Sequence, residues 1–275
     1  MSKVQRPKSK GSRLSAQKLS EANAPREPAD VGRWTLDVGQ EAADIGPWTL
    51  GVGLTVTDLR KTFSSPGGER IEVLRGISVS VAAGETVAVV GASGAGKSTL
   101  LHLLGGVEVA DHGSIKLDKF AVNSAGRADL ARFRNREVGF VFQFHHLLSD
   151  LTAVENVCLP LMLARHDRGK AMRTALEALD RLGLATRASH RVTDLSGGEQ
   201  QRVAVCRALI TQPVLVLADE PTGNLDSISG DQLASDLISY AASRPAIVII
   251  ATHNENLARR CNRMLALEEG KISES

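Results

Sequence analysis

The stretch Gly91-Ala92-Ser93-Gly94-Ala95-Gly96-Lys97-Ser98-Thr99 constrains this chain more than any other. It matches the pattern G-x-x-x-x-G-K-[ST], which is a phosphate-binding loop when a strand precedes it and a helix follows. Both conditions are met. Thr86-Val87-Ala88-Val89-Val90 is a continuous apolar, β-branched run, the mark of a strand buried on both faces. Leu100, Leu101, Leu103 and Leu104 predict a helix that ends at Gly105-Gly106. Glycines let the backbone curl until several N–H groups converge on a phosphate, and the helix N-terminus adds a favourable dipole. Lys97 supplies a point charge, and the Ser98 hydroxyl can ligate Mg²⁺. An ordinary glycine-rich turn would match by chance in roughly one chain in a hundred of average composition. Nucleotide binding is the conclusion.

Other stretches aim polar groups at the same place. Val214-Leu215-Val216-Leu217-Ala218 reads as a buried strand that runs directly into Asp219 and Glu220. In open α/β sheets ligands bind beyond the C-terminal strand ends, so acids at that edge point at the site. After a phosphate loop, a solvated turn is the weaker reading. Ala246 to Ala251 is a third such run and ends in Thr252-His253, while Phe140-Val141-Phe142-Gln143 reads as a short strand ending in a polar residue. Ahead of the loop, Leu54 and Val56 alternate with threonines, and Ile77, Val79 and Val81 alternate with serines, which is the period of half-buried antiparallel strands. Phe63 ends the first of these strands. It either stacks on a purine or fills the core, and spacing alone favours the core.

Beyond Gln143 the pattern turns helical. Val154, Val157, Cys158 and Leu161 fall at i, i+3, i+4 and i+7, with Pro160 expected to kink or shorten that helix. Met172, Ala175, Leu176 and Leu179 repeat the spacing, with Gly183 as the stop. Ser196 then takes an N-cap position before a helix whose Val203, Cys206 and Ile210 share a face and which Pro213 closes. Small residues before a capped helix suit an anion, and they are equally what any well-capped helix shows.

Bulk properties narrow the classes. A formal net charge of +2 over 275 residues is too small to require a nucleic-acid partner. No apolar run reaches the roughly 18 residues of a spanning helix, so the chain is expected not to be integral to a membrane. Cys158, Cys206 and Cys261 are far apart and fall in helical patterns among apolar neighbours, which predicts buried free thiols, a reducing compartment and no metal site. Residues 1–28 place Lys3, Arg6, Lys8, Lys10, Arg13 and Lys18 before the first acid and read as a disordered basic arm. A short repeat follows, Asp30 to Gly39 recurring as Asp44 to Gly53, each copy with one tryptophan. Two copies are too few for a solenoid. They read as a linker, the alternative being a docking segment anchored by Trp34 and Trp48.

Together the motifs resemble the ATP-binding subunit of the ABC transporter family, over about Leu54 to Ile272 and in the family order. The loop Gly91–Thr99 is followed by Gln143, the signature Leu195-Ser196-Gly197-Gly198-Glu199-Gln200-Gln201-Arg202, the strand ending Asp219-Glu220, Asn224-Leu225-Asp226, and His253. The signature is the specific element, since kinases and GTPases also carry phosphate loops. Within the family, Leu100-Leu101-His102-Leu103-Leu104-Gly105-Gly106 and Gln143-Phe144-His145-His146-Leu147-Leu148 look like the lipoprotein-releasing (Lol-type) branch of Gram-negative bacteria. Leu217 to Asp226 is shared more widely, with macrolide-exporter and cell-division ATPases.

The resemblance implies an α/β P-loop NTPase fold of the ABC ATPase type, with a mostly parallel core sheet, an antiparallel β subdomain and a helical subdomain at about 144–195. The ATPase domain would span 54–272 after an arm and linker at 1–53. ATP and Mg²⁺ are the implied ligands. Gly91, Ala92, Ser93, Gly94, Ala95, Gly96, Lys97, Ser98 and Thr99 would bind the phosphates, and Phe63, placed where the family puts an aromatic, would stack on the adenine. Ser98, Gln143 and Asp219 would hold the metal, Glu220 would be the general base, and Gln143 and His253 would assist. Ser196, Gly197 and Gly198 of one subunit would cap the γ-phosphate bound to a second copy, with Asp226 crossing between them in a head-to-tail homodimer. Separate transmembrane permease subunits would dock on the helical block beside Gln143 and hold the chain peripherally at the cytoplasmic face of the inner membrane. Two alternatives to lipoprotein release stand: a macrolide or peptide efflux or cell-division complex, and, more remotely, a soluble ABC ATPase acting on DNA. The last would carry a long coiled coil between loop and signature, where this chain has about a hundred residues without sustained heptads.

Overall fold

A computed structural model describes residues 53–65 and 67–274. The expected basic arm and both tryptophans of the repeat lie outside the described residues. Two sheets and a helical block build the molecule. In the first sheet, β1 (Leu54–Ser64) and β2 (Arg70–Val81) form an antiparallel hairpin, and β4 (His112–Leu117) and β5 (Phe120–Ala121) complete the order β2-β1-β4-β5. The expected alternation holds at Leu54 and Val56 and then skips a residue. Asp58, at φ 42°, sits where the β1–β2 register slips, and the extra residue returns Leu59 and Lys61 to the buried side. A β-bulge does this by setting two residues against one.

The second sheet runs β10-β9-β3-β8-β7-β6. Its strands are β3 (Thr86–Val90), β6 (Val138–Val141), β7 (Leu215–Asp219), β8 (Ile247–Ala251), β9 (Arg263–Glu268) and β10 (Lys271–Glu274). Only the β10–β9 pairing is antiparallel. The continuous apolar runs of β3, β7 and β8 are explained by cover on both faces. On one face lie α1 (Lys97–Leu104), whose four leucines are all buried, and the antiparallel sheet. On the other lie α6 (Ser227–Ser243) and one side of α5 (Gly197–Leu209).

The other side of α5 packs into the helical block against α3 (Ala153–Leu163) and α4 (Arg168–Arg181). Val203, Cys206 and Ile210 face that block, as their shared spacing predicts, while Val205, Ala208 and Leu209 face the sheet. A helix apolar on two sides is buried between two layers. The signature helix is therefore the joint between block and sheet.

Several elements differ from expectation. The strand read at Phe140–Gln143 is Val138–Val141, so Phe142 and Gln143 lie past its end. Helix α3 continues through Pro160 and stops less than one turn later at Leu163. On α4, Ala175 and Leu179 are buried but Leu176 is exposed; Ala171, Thr174 and Ala178 fill the face instead, because small residues let α4 lie close to its neighbours. Cys158 and Cys206 are buried, whereas Cys261 follows the short α7 (Glu255–Ala258) outside any helix and is only half-buried. The helix α2 (Arg127–Arg136) was not foreseen; it buries Phe133 alone.

Candidate functional site

The C-terminal ends of β3, β6, β7 and β8 converge at one edge of the parallel sheet. With the first turn of α1 and part of the hairpin they enclose a cavity of about 520 Å³. Its lining is Phe63, Val73, Ser93, Gly94, Gly96, Lys97, Ser98, Thr99, Gln143, Asp219, Glu220 and His253. Eleven of these were singled out from sequence alone and Val73 was not. Nothing in the pattern separates Val73 from any other apolar strand residue.

The loop's glycines have steric reasons as well as flexible ones. Gly96 caps α1 at φ 103°, and a Cβ there would lie 2.9 Å from Val73 Cγ1 and 3.0 Å from Leu74 Cδ2. A Cβ on Gly91 would come within 2.3 Å of the Leu267 carbonyl oxygen. The loop is thus wedged between β2 and β9. Lys97 Nζ donates to the carbonyls of Gly91 at 2.8 Å and Ala92 at 3.1 Å, which folds the ammonium back over the loop. No acid lies in the first turn of α1, so its N-terminal dipole is left for an anion.

Opposite the loop, Asp219 closes β7 as a buried carboxylate. Glu220 follows at φ 45°, a left-handed conformation uncommon for a residue with a side chain. Its N–H donates to the Ala251 carbonyl at 2.9 Å, and its own carbonyl accepts from Gly223 N–H at 3.1 Å. Those bonds swing the side chain toward the end of β8. There one carboxylate oxygen accepts from the Thr252 hydroxyl at 3.2 Å, and the other lies 2.8 Å from His253 Nδ1. Thr252 is fully buried, so it acts as a fixed donor that orients Glu220. Asn224 Nδ2 donates to the Gln143 carbonyl at 3.4 Å.

Ser196, Gly197, Gly198 and Asp226 do not line this cavity. Ser196 heads α5 in a reciprocal cap: its hydroxyl accepts from Glu199 N–H at 3.3 Å, and the Glu199 carboxylate accepts from Ser196 N–H at 2.8 Å. Arg187 holds Glu199 from the side at 2.9 Å. Asp226 caps α6 by accepting from Ser229 N–H at 3.0 Å, and that bond keeps its carboxyl below the usual range. Gly91, Ala92 and Ala95 shape the loop from behind rather than lining the cavity. Among the described residues no helix is long and apolar enough to cross a membrane.

A family model described as ABC transporter matches residues 74–223. The chain belongs to the ABC transporter family. The lipoprotein-releasing system ATP-binding protein LolD of Geobacter metallireducens is 49% identical over 217 residues, 79% of this chain and 96% of that protein. LolD of Myxococcus xanthus is 47% identical over 208 residues, covering 76% and 93%. Among solved structures, the dimeric ATP-binding cassette MJ0796, in a post-hydrolysis state bound to ADP and Pi, matches with a TM-score of 0.77 at 34% identity, covering 81% of this chain and 97% of that one. This ABC cassette is accordingly an ATP-binding, ATP-hydrolysing subunit. Its mostly parallel core sheet, antiparallel sheet and helical block agree with the architecture expected from the motifs.

Proposed function

We propose that this ABC ATPase powers release of lipoproteins from the inner membrane as the cytoplasmic, peripherally held subunit of a Lol-type complex. The observation that carries this reading is the likeness to LolD proteins along nearly their whole length, 96% in the case of Geobacter metallireducens. Lys97, the loop amides and the hydroxyls of Ser93, Ser98 and Thr99 bind the triphosphate, and Phe63 stacks on the adenine. Glu220, aimed by Thr252 and His253, takes the proton of the attacking water. His253 and Gln143 position the γ-phosphate and that water. Little covalent chemistry is required in phosphoryl transfer, so positioning and charge carry the rate.

The lining also fits Mg²⁺. A Ser98 hydroxyl, a Gln143 amide oxygen and the Asp219 carboxylate are hard oxygen donors around one cavity, and Asp219 is buried with no donor paired to it among the described residues. The ion, when bound, neutralises charge on the phosphates. No cluster of three or more His, Cys, Asp or Glu suited to a metal exists among the described residues. That accords with Mg²⁺, which takes one or two carboxylates plus phosphate oxygens.

The signature residues Ser196, Gly197 and Gly198, which lie outside their own chain's cavity, complete the site of a second copy, with Asp226 at the seam. Permease subunits supply the membrane spans and meet the helical block at 144–195, where Phe144 and Leu148, just after Gln143 in the chain, are exposed, as is Leu163 at the end of α3. Proteoliposomes holding the chain with its co-purified membrane partners test the reading. ATP-dependent transfer of a lipoprotein to a soluble acceptor is expected; hydrolysis without transfer, in a complex that instead exports a macrolide, would overturn it.

A further inference from the structure

The Phe63 ring has two neighbours of different kinds, the nucleotide cavity and a cation. Phe63 lines the nucleotide cavity and is 39% exposed. Lys61, two residues earlier on β1, places its Nζ 4.9 Å from the ring centroid without lining the cavity. The ring is thus reachable by a ligand in the cavity, and a cation that is not part of the cavity lining sits over it.

That cation is built in. Lys61 is only 8% exposed, a costly position for an ammonium unless it is paired. Its Nζ donates to Glu108 Oε1 at 2.9 Å and to the Val109 carbonyl at 2.8 Å, with Asp111 Oδ1 3.8 Å away. The bond from Lys61 holds the Glu108 carboxyl below its usual range. Asp111 also accepts from Thr62 N–H at 2.6 Å, and its own N–H donates to the Arg60 carbonyl at 3.1 Å. Residues 108–111 come just after the phosphate-loop helix α1. The segment hanging from that helix therefore grips β1 on both sides of Lys61. The bulge at Asp58 is what makes this grip reachable, because strict alternation from Leu54 and Val56 would turn residue 61 outward.

We propose that Lys61 is a positioning residue for base recognition: it fixes the Phe63 ring and polarises it so that the cavity face stacks on an electron-rich purine. This rests on Phe63 being the base-stacking residue of the proposed site. A cation on one face of a ring draws π-density toward itself, which lessens repulsion between the opposite face and the π-cloud of adenine. The polar partners of Lys61 are Glu108, Val109 and Asp111 and not the phosphate loop, so the proposed effect falls chiefly on the base end of the ligand.

Titration of the full chain with ATP and with inorganic tripolyphosphate, which lacks a base, tests this. Lys61→Met is expected to raise the Kd for ATP about three- to tenfold while leaving tripolyphosphate binding unchanged. Lys61→Gln keeps a donor for Val109 without the charge; it should behave the same way and serves if the methionine variant does not fold. Lys61→Arg should restore ATP affinity, and Lys61→Met should add nothing in a Phe63→Ala background. Equal losses toward ATP and tripolyphosphate would reduce Lys61 to a structural role and overturn the proposal. If Phe63→Ala weakens ATP but neither uncharged Lys61 variant does, the proposal fails and stacking survives. If Phe63→Ala binds ATP normally, the stacking reading fails first and takes the proposal with it.

Discussion

Glu220 combines an uncommon backbone with a fully determined side chain, and both features argue for its role. The left-handed turn at φ 45° is held by Ala251 and Gly223, and the carboxylate is held by Thr252 and His253. Glu220→Gln keeps the shape and removes the proposed base. Turnover should fall by roughly 10²–10⁴ while ATP still binds and dimers accumulate, read by phosphate release and by gel filtration with ATP. Unchanged turnover would remove Glu220 from the role. Lys97→Ala should instead abolish binding of a fluorescent ATP analogue, because the loop then loses its only ammonium. These residues were legible because their chemistry admits few substitutes: a phosphate needs converging amides and a cation, and the strand ends need acids. Val73 and the orienting part played by Thr252 were not legible, since a valine in a strand and a threonine at its end have many uses.

At the scale of elements, α5 joins the helical block to the sheet, and Arg207 on it reaches the segment after Gln143. Its guanidinium donates to the His145 carbonyl at 2.8 Å and the His146 carbonyl at 2.7 Å, with His146 at φ 47°. Arg207→Ala leaves two carbonyls without their donor, at about 1–3 kcal/mol in stability. The melting temperature should drop, and amide exchange should quicken at 143–148 before it does in the sheet. Burial pushes the His145 imidazole below its ordinary range, so the folded chain binds this proton less readily than the unfolded one. The stability from this site is full above about pH 6.5 and is lost as pH falls through that value toward the lowered folded pKa. His145→Gln should flatten that part of a plot of melting temperature against pH. The elements most legible in advance were β3, β7 and β8, whose burial on both faces leaves uninterrupted apolar runs. Helix α2 offered one buried side chain and no periodicity, and α6, rich in serine, went unread. Leu176 was misassigned because spacing counts leucines, while the α4 contact is made by alanines and a threonine.

At the scale of the molecule, Ser196, Gly197 and Gly198 do not line the cavity of their own chain, and the proposed reading has a second copy bring signature and cavity together. Gly197 offers a clean test of that geometry. A Cβ there meets nothing within 4 Å of its own chain, and an acid in the first turn of α5 suits the helix dipole. Gly197→Asp should therefore fold normally and fail only where its carboxylate faces a triphosphate bound by the partner. Neither Lys97→Ala nor Gly197→Asp should hydrolyse ATP alone when expressed with the membrane partners. A mixed dimer differs, because one of its two sites receives both defects and the other receives neither. Equal co-expression makes half the dimers mixed, each with one sound site, so about one quarter of the wild-type rate should return. Sites completed within a single chain would give no recovery on mixing. The yield thus separates a shared reaction centre from two private ones, independently of which cargo the complex moves.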